Sequence, residues 1–107
     1  MQYTIKWSEK SRDDYFKIID YLLDNWGKNV AKKFNETTLH LIDLISKMPT
    51  IYPLTEYRTN LRKCVVVKQV SLYYQINIDD NEIFIVRFYD NRKNPGTISE
   101  TLDETEL

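Results

Sequence analysis

Arg87, Arg92 and Lys93 place fixed positive charge in and just after an alternating run, Ile83-Phe84-Ile85-Val86-Arg87-Phe88-Tyr89. Alternation of β-branched and aromatic residues is the signature of a strand. Its polar exit, Asp90-Asn91-Arg92-Lys93-Asn94-Pro95, holds those cations beside the end of a sheet. A rigid scaffold can aim such charge at a phosphate or a carboxylate. Tyr89 adds a phenol, and Arg62 adds a further cation upstream. With Arg58, Lys63, Lys68 and the interleaved Tyr73, the set reads as the footprint for a nucleic acid or an acidic protein, against the background of an ordinarily charged surface. The binding candidates are therefore Arg62, Arg87, Tyr89, Arg92 and Lys93, with no catalytic residue assigned.

Other chemistries are excluded by inventory. The chain has one histidine, His40, and one cysteine, Cys64, which cannot build the usual zinc site. No metal and no cofactor are expected. Cys64 opens a Cys-Val-Val-Val run and reads as a small strand residue rather than a nucleophile. His40 reads as a solvated helix position. With two glycines, a phosphate-cradling glycine loop is ruled out. Neither a serine triad nor a two-metal site has its residues.

The elements that must position the cations follow from periodicity. The 107 residues make one domain with one modest core, 42% apolar and 29% charged. The net charge is −1, yet Glu100, Asp103, Glu104 and Glu106 sit in the last eight residues, which leaves the first 99 at +3. The division expected is a domain over 1–96 and an acidic tail over 97–107, either solvated or masking the basic face. No apolar run reaches the ~20 residues that span a bilayer, and no signal peptide is visible, so a cytoplasmic protein without membrane contact is expected. A lone cysteine fits a reducing compartment.

Tyr3-Thr4-Ile5-Lys6-Trp7 alternates as a first strand, and Ser8 follows as a helix N-cap. Tyr15, Ile18, Ile19, Leu22, Leu23 and Trp26 form one apolar stripe of a helix that Gly27 ends. A second helix runs from about Asn29 to Met48 and buries Val30, Ala31, Phe34, Leu41, Ile45 and Met48. A loop punctuated by Pro49 and Pro53 leads to strands over about Leu61–Lys68, Ser71–Ile78 and Glu82–Tyr89. The fold expected is α+β: an N-terminal strand and a two-helix hairpin packed on an antiparallel sheet. A three-residue turn at 79–81 pairs Ile78 with Glu82 and groups Leu72, Tyr74 and Ile76 with Phe84, Val86 and Phe88. It leaves Tyr73, Ile83, Ile85, Arg87 and Tyr89 on a second, mixed face. A two-residue turn would put Arg87 on the Leu72 face, and burying an unpaired arginine is costly, so the first register is preferred.

Asn60-Leu61-Arg62-Lys63, the Leu72-Tyr73-Tyr74-Gln75-Ile76 strand and Asp90-Asn91-Arg92-Lys93-Asn94-Pro95 give the chain a likeness to a known family. Trp26-Gly27 with Ala31 and Phe34 adds to it. Over residues 2 to 95 it resembles the RelE/ParE superfamily of bacterial type II toxins. The resemblance implies that the first strand joins the same sheet. It also implies a cytoplasmic toxin, of the kind linked to plasmid stabilisation, neutralised by a cognate antitoxin in a hetero-oligomer; the oligomeric state of the toxin stays open. In the nuclease branch, ribosome-dependent mRNA cleavage needs a base for the 2′-hydroxyl, cations for the phosphate and an acid for the leaving oxygen. Arg62 and Arg92 match basic positions of that branch. Cys64 and Ser71 fall where basic residues are expected, and Ile98 roughly where some members have a tyrosine. Tyr89, with an ordinary pKa of ~10, is a poor substitute base. The expectation is a ParE-like, non-enzymatic inhibitor of DNA gyrase. The alternatives are an mRNA endoribonuclease acting on the ribosome and an inactive toxin fold kept as a binding module.

Overall fold

The computed structural model describes residues 2–92 and Leu102. Six elements follow in order: β1 (Thr4–Trp7), α1 (Glu9–Trp26), α2 (Lys28–Lys47), β2 (Arg62–Val67), β3 (Val70–Asn77) and β4 (Glu82–Asp90). The strands form one sheet in the order β1-β4-β3-β2. β1 runs parallel to β4, and the other two pairings are antiparallel. The α+β expectation and the first strand's place in the sheet both hold.

Local chemistry sets the helix ends. The Ser8 hydroxyl oxygen accepts from the Ser11 N–H at 2.9 Å, satisfying one of the unpaired donors of the first turn. The same hydroxyl donates to the Val86 carbonyl at 2.7 Å, which ties the start of α1 to β4. Gly27, at φ 89°, ends α1 and caps α2; an L side chain rarely adopts that backbone conformation.

The helices cover one face of the sheet. There Tyr15, Phe34, Ile42, Ile45, Leu72, Tyr74, Ile83, Ile85 and Phe88 make the main core. Trp7 packs its ring edge-on to Tyr15 at 5.5 Å, and Tyr15 stacks on Phe34 at 5.7 Å. The Tyr15 hydroxyl donates to Asn35. Tyr74 reaches through to the Pro49 carbonyl at 2.7 Å and pins the loop after α2.

The β3–β4 register differs from the one expected over Glu82 to Ile85 and matches it from Arg87 onward, where Tyr73 pairs with Arg87, Leu72 with Phe88 and Ser71 with Tyr89. Asn77, not Ile78, pairs with Glu82, and residues 78–81 form the turn. Asn77 fixes that turn by accepting from the Asp80 N–H at 3.2 Å, and Asn81 takes φ 58°. A four-residue turn has the same parity as the two-residue turn set aside above, so Ile83 and Ile85 join Leu72 and Tyr74, and Phe84 and Val86 go to the other face. A bulge between the Tyr73–Arg87 and Tyr74–Ile85 pairs then adds one residue to β4. It returns Phe88 to the helix side and Tyr89 to the second face.

Arg87 itself stays opposite Tyr73, as expected, because the bulge precedes it; the rejected parity holds from Glu82 to Ile85 only. The Arg87 guanidinium grips Asp14 of α1 with two bonds, Nε to Oδ2 at 2.7 Å and Nη2 to Oδ1 at 2.9 Å. Asp14 Oδ2 also accepts from the Phe88 N–H at 3.1 Å. The cost of burying an unpaired arginine does not arise, because the arginine is paired.

The second face is a core as well. Leu61, Tyr73, Val86, Tyr89 and Leu102 are buried there, Tyr73 completely. The expected half-exposure of Tyr73 and Tyr89 is therefore corrected: a small domain with few glycines packs aromatic bulk on both sides of its sheet. Leu102 is 2% exposed, and its carbonyl accepts from Arg58 Nη2 at 2.5 Å. The remainder of the acidic tail lies outside the described residues.

The helix stripes overreach their cover. Leu23, Trp26, Val30 and Met48, expected inside, are 44–65% exposed, while Thr38 and Ile42 are buried. Leu23, Trp26 and Val30 lie within four residues of Gly27, at the tip of the hairpin, and Met48 lies at the other end of α2.

The Arg87–Asp14 pair is the test of this packing. Its side chains are 12% and 15% exposed. Asp14→Ala should cost ~2–4 kcal/mol, because it strands a largely buried guanidinium. Urea unfolding should also show the double variant Asp14→Leu with Arg87→Met closer to the wild type than either single change.

Candidate functional site

The hairpin tip, the end of β4 and the β2–β3 turn enclose a groove of about 460 Å3. Leu22, Trp26, Val30 and Phe34 form its apolar wall, and Val67, Gln69 and Val70 close the opposite side. Asp14 lies in it, already clamped by Arg87. Lys17, Tyr21, Asp90 and Arg92 complete its lining. The arrangement is an apolar trough with charged groups, the usual anatomy of a peptide-binding surface.

Arg92 is placed by two neighbours. Nε and Nη2 donate to the two oxygens of Asp90 at 3.0 and 2.9 Å, and the guanidinium carbon stands 5.9 Å from the centre of the Tyr21 ring. Asp90 Oδ1 also accepts from the Arg92 N–H at 2.9 Å. Asp90, and after it the Tyr21 hydroxyl, raise the guanidinium's pKa further, so it is cationic at any working pH. Its side chain is 60% exposed, so an incoming carboxylate can compete for it.

The candidate residues do not form one cluster. Arg92 lines the groove, and Arg87 bears on it only through Asp14, which it clamps. Tyr89 is 5% exposed on the other side of the sheet. Arg62 starts the edge strand β2 and donates to the Tyr52 carbonyl at 2.7 Å, holding the loop after α2. Lys93 and Ile98 lie outside the described residues. The basic set is dispersed because four of its arginines each answer a different oxygen: Arg58 that of Leu102, Arg62 that of Tyr52, Arg87 Asp14 and Arg92 Asp90.

The groups that could move a proton are turned inward. Burial pushes the Tyr73 phenol far above its ordinary pKa and Tyr74 up to about 12. Cys64 is fully buried, and its thiol is likewise pushed up by burial. Ser71 is buried, with its hydroxyl donating to Asn91 at 2.8 Å. Among the described residues, no group of three or more His, Cys, Asp or Glu is arranged to hold a metal ion.

Sequence reasoning missed Asp14, Tyr21 and Trp26 as groove residues. Trp26 was assigned to the core because it continues the stripe. Its place beside Gly27, at the tip of the hairpin, is the signal that it closes the stripe at an exposed end.

Residues 5–95 match the family model described as the ParE toxin of the type II toxin–antitoxin system parDE. No curated protein matches the chain. Among solved structures, the chain is similar to the chromosomal ParDE toxin–antitoxin system from P. aeruginosa. That match has 16% identity and a TM-score of 0.70 over 83% of this chain and 96% of that one. It is also similar to the toxin–antitoxin complex RelBE2 from Mycobacterium tuberculosis, at 15% identity and TM-score 0.59 over 85% and 100%. A metal-bound toxin from Helicobacter pylori aligns at 25% identity and TM-score 0.55 over 83% and 94%.

The buried phenols make a pH prediction. The unfolded chain loses tyrosine protons near pH ~10, whereas folded Tyr74 keeps its own to about pH 12. A raised folded pKa means that stability is complete below the unfolded value and falls as pH rises through the interval. Urea midpoints should hold steady up to pH ~10 and drop between ~10 and ~12, with a shallower drop in Tyr74→Phe.

Proposed function

This chain belongs to the ParE toxin family of type II toxin–antitoxin systems, and we propose that it arrests growth by binding an intracellular target, DNA gyrase, rather than by cleaving RNA. One observation carries the reading. The positions at which the nuclease branch would place cations hold Cys64 and Ser71, both with 0% exposure. The phenol nearest to that chemistry, Tyr89, is packed with Leu61, Tyr73, Val86 and Leu102. Cys64 is enclosed under the helices, and a phosphate approaching the Tyr89 face meets apolar bulk where it needs charge. Loss of even one transition-state donor removes ~10²–10³ in rate, and here several are missing together.

We also propose a cognate antitoxin as partner, seated in the groove between the hairpin tip and the sheet. Trp, Tyr and Arg dominate the energetic centres of interfaces, and Trp26, Tyr21 and Arg92 all line this groove. The matching segment is amphipathic, with an apolar side chain for Leu22, Trp26 and Val30 and a carboxylate for Arg92 or Lys17. Such a segment orders as it binds. The site of action proposed is the cytoplasm; no described helix is long and apolar enough to cross a membrane.

Purified protein should inhibit gyrase supercoiling and leave mRNA on translating ribosomes intact. Site-specific mRNA cuts that disappear in Tyr89→Phe or Arg92→Ala would move the chain to the nuclease branch. Trp26→Ala should weaken antitoxin capture on co-expression by ~10-fold or more with little change in melting temperature, since the side chain is 65% exposed. Arg92→Ala should leave the melting temperature nearly unchanged and abolish growth inhibition, with Arg92→Lys rescuing only part of it, because a single ammonium cannot reproduce a two-point guanidinium contact. Full toxicity in Arg92→Ala would make that arginine a bystander.

A further inference from the structure

A second apolar surface lies on the helical hairpin, away from the groove. Phe16 is 64% exposed and Leu39 53%, and they line one shallow hollow with Trp7, Arg12 and Tyr15. None of those residues lines the groove. Leu23, 44% exposed, continues the stripe two turns along α1 from Phe16. Exposed leucine and phenylalanine in a row at helical spacing mark an interaction surface rather than scattered surface apolarity.

The charges flanking this stripe are self-complementary. The second half of α1 carries Asp20 and Asp24 and no base. The first half of α2 carries Lys28, Lys32 and Lys33 against Glu36. Asp20 stands between Phe16 and Leu23 on the helix surface, four residues after one and three before the other. Lys32 is two turns before Leu39 on the same side of α2. The helices are antiparallel about Gly27, so residues equally far from it lie at the same height. Phe16 and Leu39 are eleven and twelve residues away, and Asp20 and Lys33 seven and six.

We propose that this face is an isologous interface with a second copy of the chain, its two-fold axis parallel to the hairpin. That operation lays α1 of one copy on α2 of the other at equal height. Phe16 then meets Leu39 of the other copy, and the Asp20–Asp24 side meets the Lys32–Lys33 side, twice over. At ~1.5 Å per residue, the 18-residue α1 is about 27 Å long. Two helices abreast therefore offer ~500 Å2 per copy, near the lower end of what specific association needs. The dimer leaves the groove open to a different partner.

Sedimentation equilibrium of the purified full-length chain from ~1 to ~200 µM tests this. Concentration-dependent dimerisation is expected, weakened at least ~10-fold by Leu39→Glu or Phe16→Glu without loss of helicity. Charge reversal supplies the specific arm. Asp20→Lys with Asp24→Lys makes one chain whose two helices repel those of its own kind, and Lys32→Glu with Lys33→Glu makes another. Each should be monomeric alone, and the two mixed should form a heterodimer. A wild type that stays monomeric at ~200 µM overturns the proposal, as does a dimer indifferent to these changes. So does a monomer in which Leu39→Glu instead weakens antitoxin capture, which would give the face to the antitoxin. None of these outcomes depends on whether the toxin acts on gyrase.

Discussion

The pairing of Arg87 with Asp14 is the constraint around which the domain is arranged. It joins the first third of α1 to the second half of β4 by two charge-assisted bonds at 2.7 and 2.9 Å. Ile83 and Ile85, on the near side of the bulge, face the helices. The neighbouring bulge then turns Phe88 inward to Trp7 and Tyr15 and sends Tyr89 to the opposite face. Asp14 serves the backbone too, through the Phe88 N–H. A pair of apolar residues in place of this one could supply similar stability. It could not so directly fix which residues of β4 look up and which look down.

That arrangement decides the chemistry left to the sheet. Once Val86 and Tyr89 occupy the second face, Leu61, Tyr73 and Leu102 close over it as a second core. A sheet buried on both sides has no open floor on which to hold a nucleic acid. The exposed functional surface is displaced to the margins: the groove at the hairpin tip, where Arg92 stands over Tyr21, and the outer stripe of the hairpin.

Much of the fold was legible because its signals are local. Ser8 as a cap, Gly27 as the break between helices and Pro49 after α2 each act within a turn of where they stand, and the helix ends came out within one residue. The β3–β4 register was legible from Arg87 onward, where the cost of burying an unpaired arginine gave the right pairing with Tyr73, and not before it, because a bulge has no composition of its own. The ion pair that Arg87 makes was not legible either, since Asp14 is 73 residues away in sequence, a contact that periodicity cannot supply. Tyr73 and Tyr89 were misplaced for a related reason. Alternation separates two faces but does not tell whether the second meets water, and the residue that covers it, Leu102, comes from a segment whose acidic composition pointed outward.

The same distinction separates the candidate residues from one another. Arg62, Arg87 and Arg92 look equivalent in the sequence: arginines within or at the end of strands. In the fold, Arg62 answers loop carbonyls and Arg87 answers a largely buried carboxylate. Replacing either oxygen partner would mean breaking the architecture that supplies it. Arg92 answers Asp90, two residues away on an exposed turn, in a pair whose arginine side chain is 60% in water. An exposed pair of that kind contributes little to folding, so its partner can be exchanged without disturbing anything else. Availability for function thus follows from how little each ion pair contributes to the fold, and by that measure Arg92 is the arginine of the three that a partner can take.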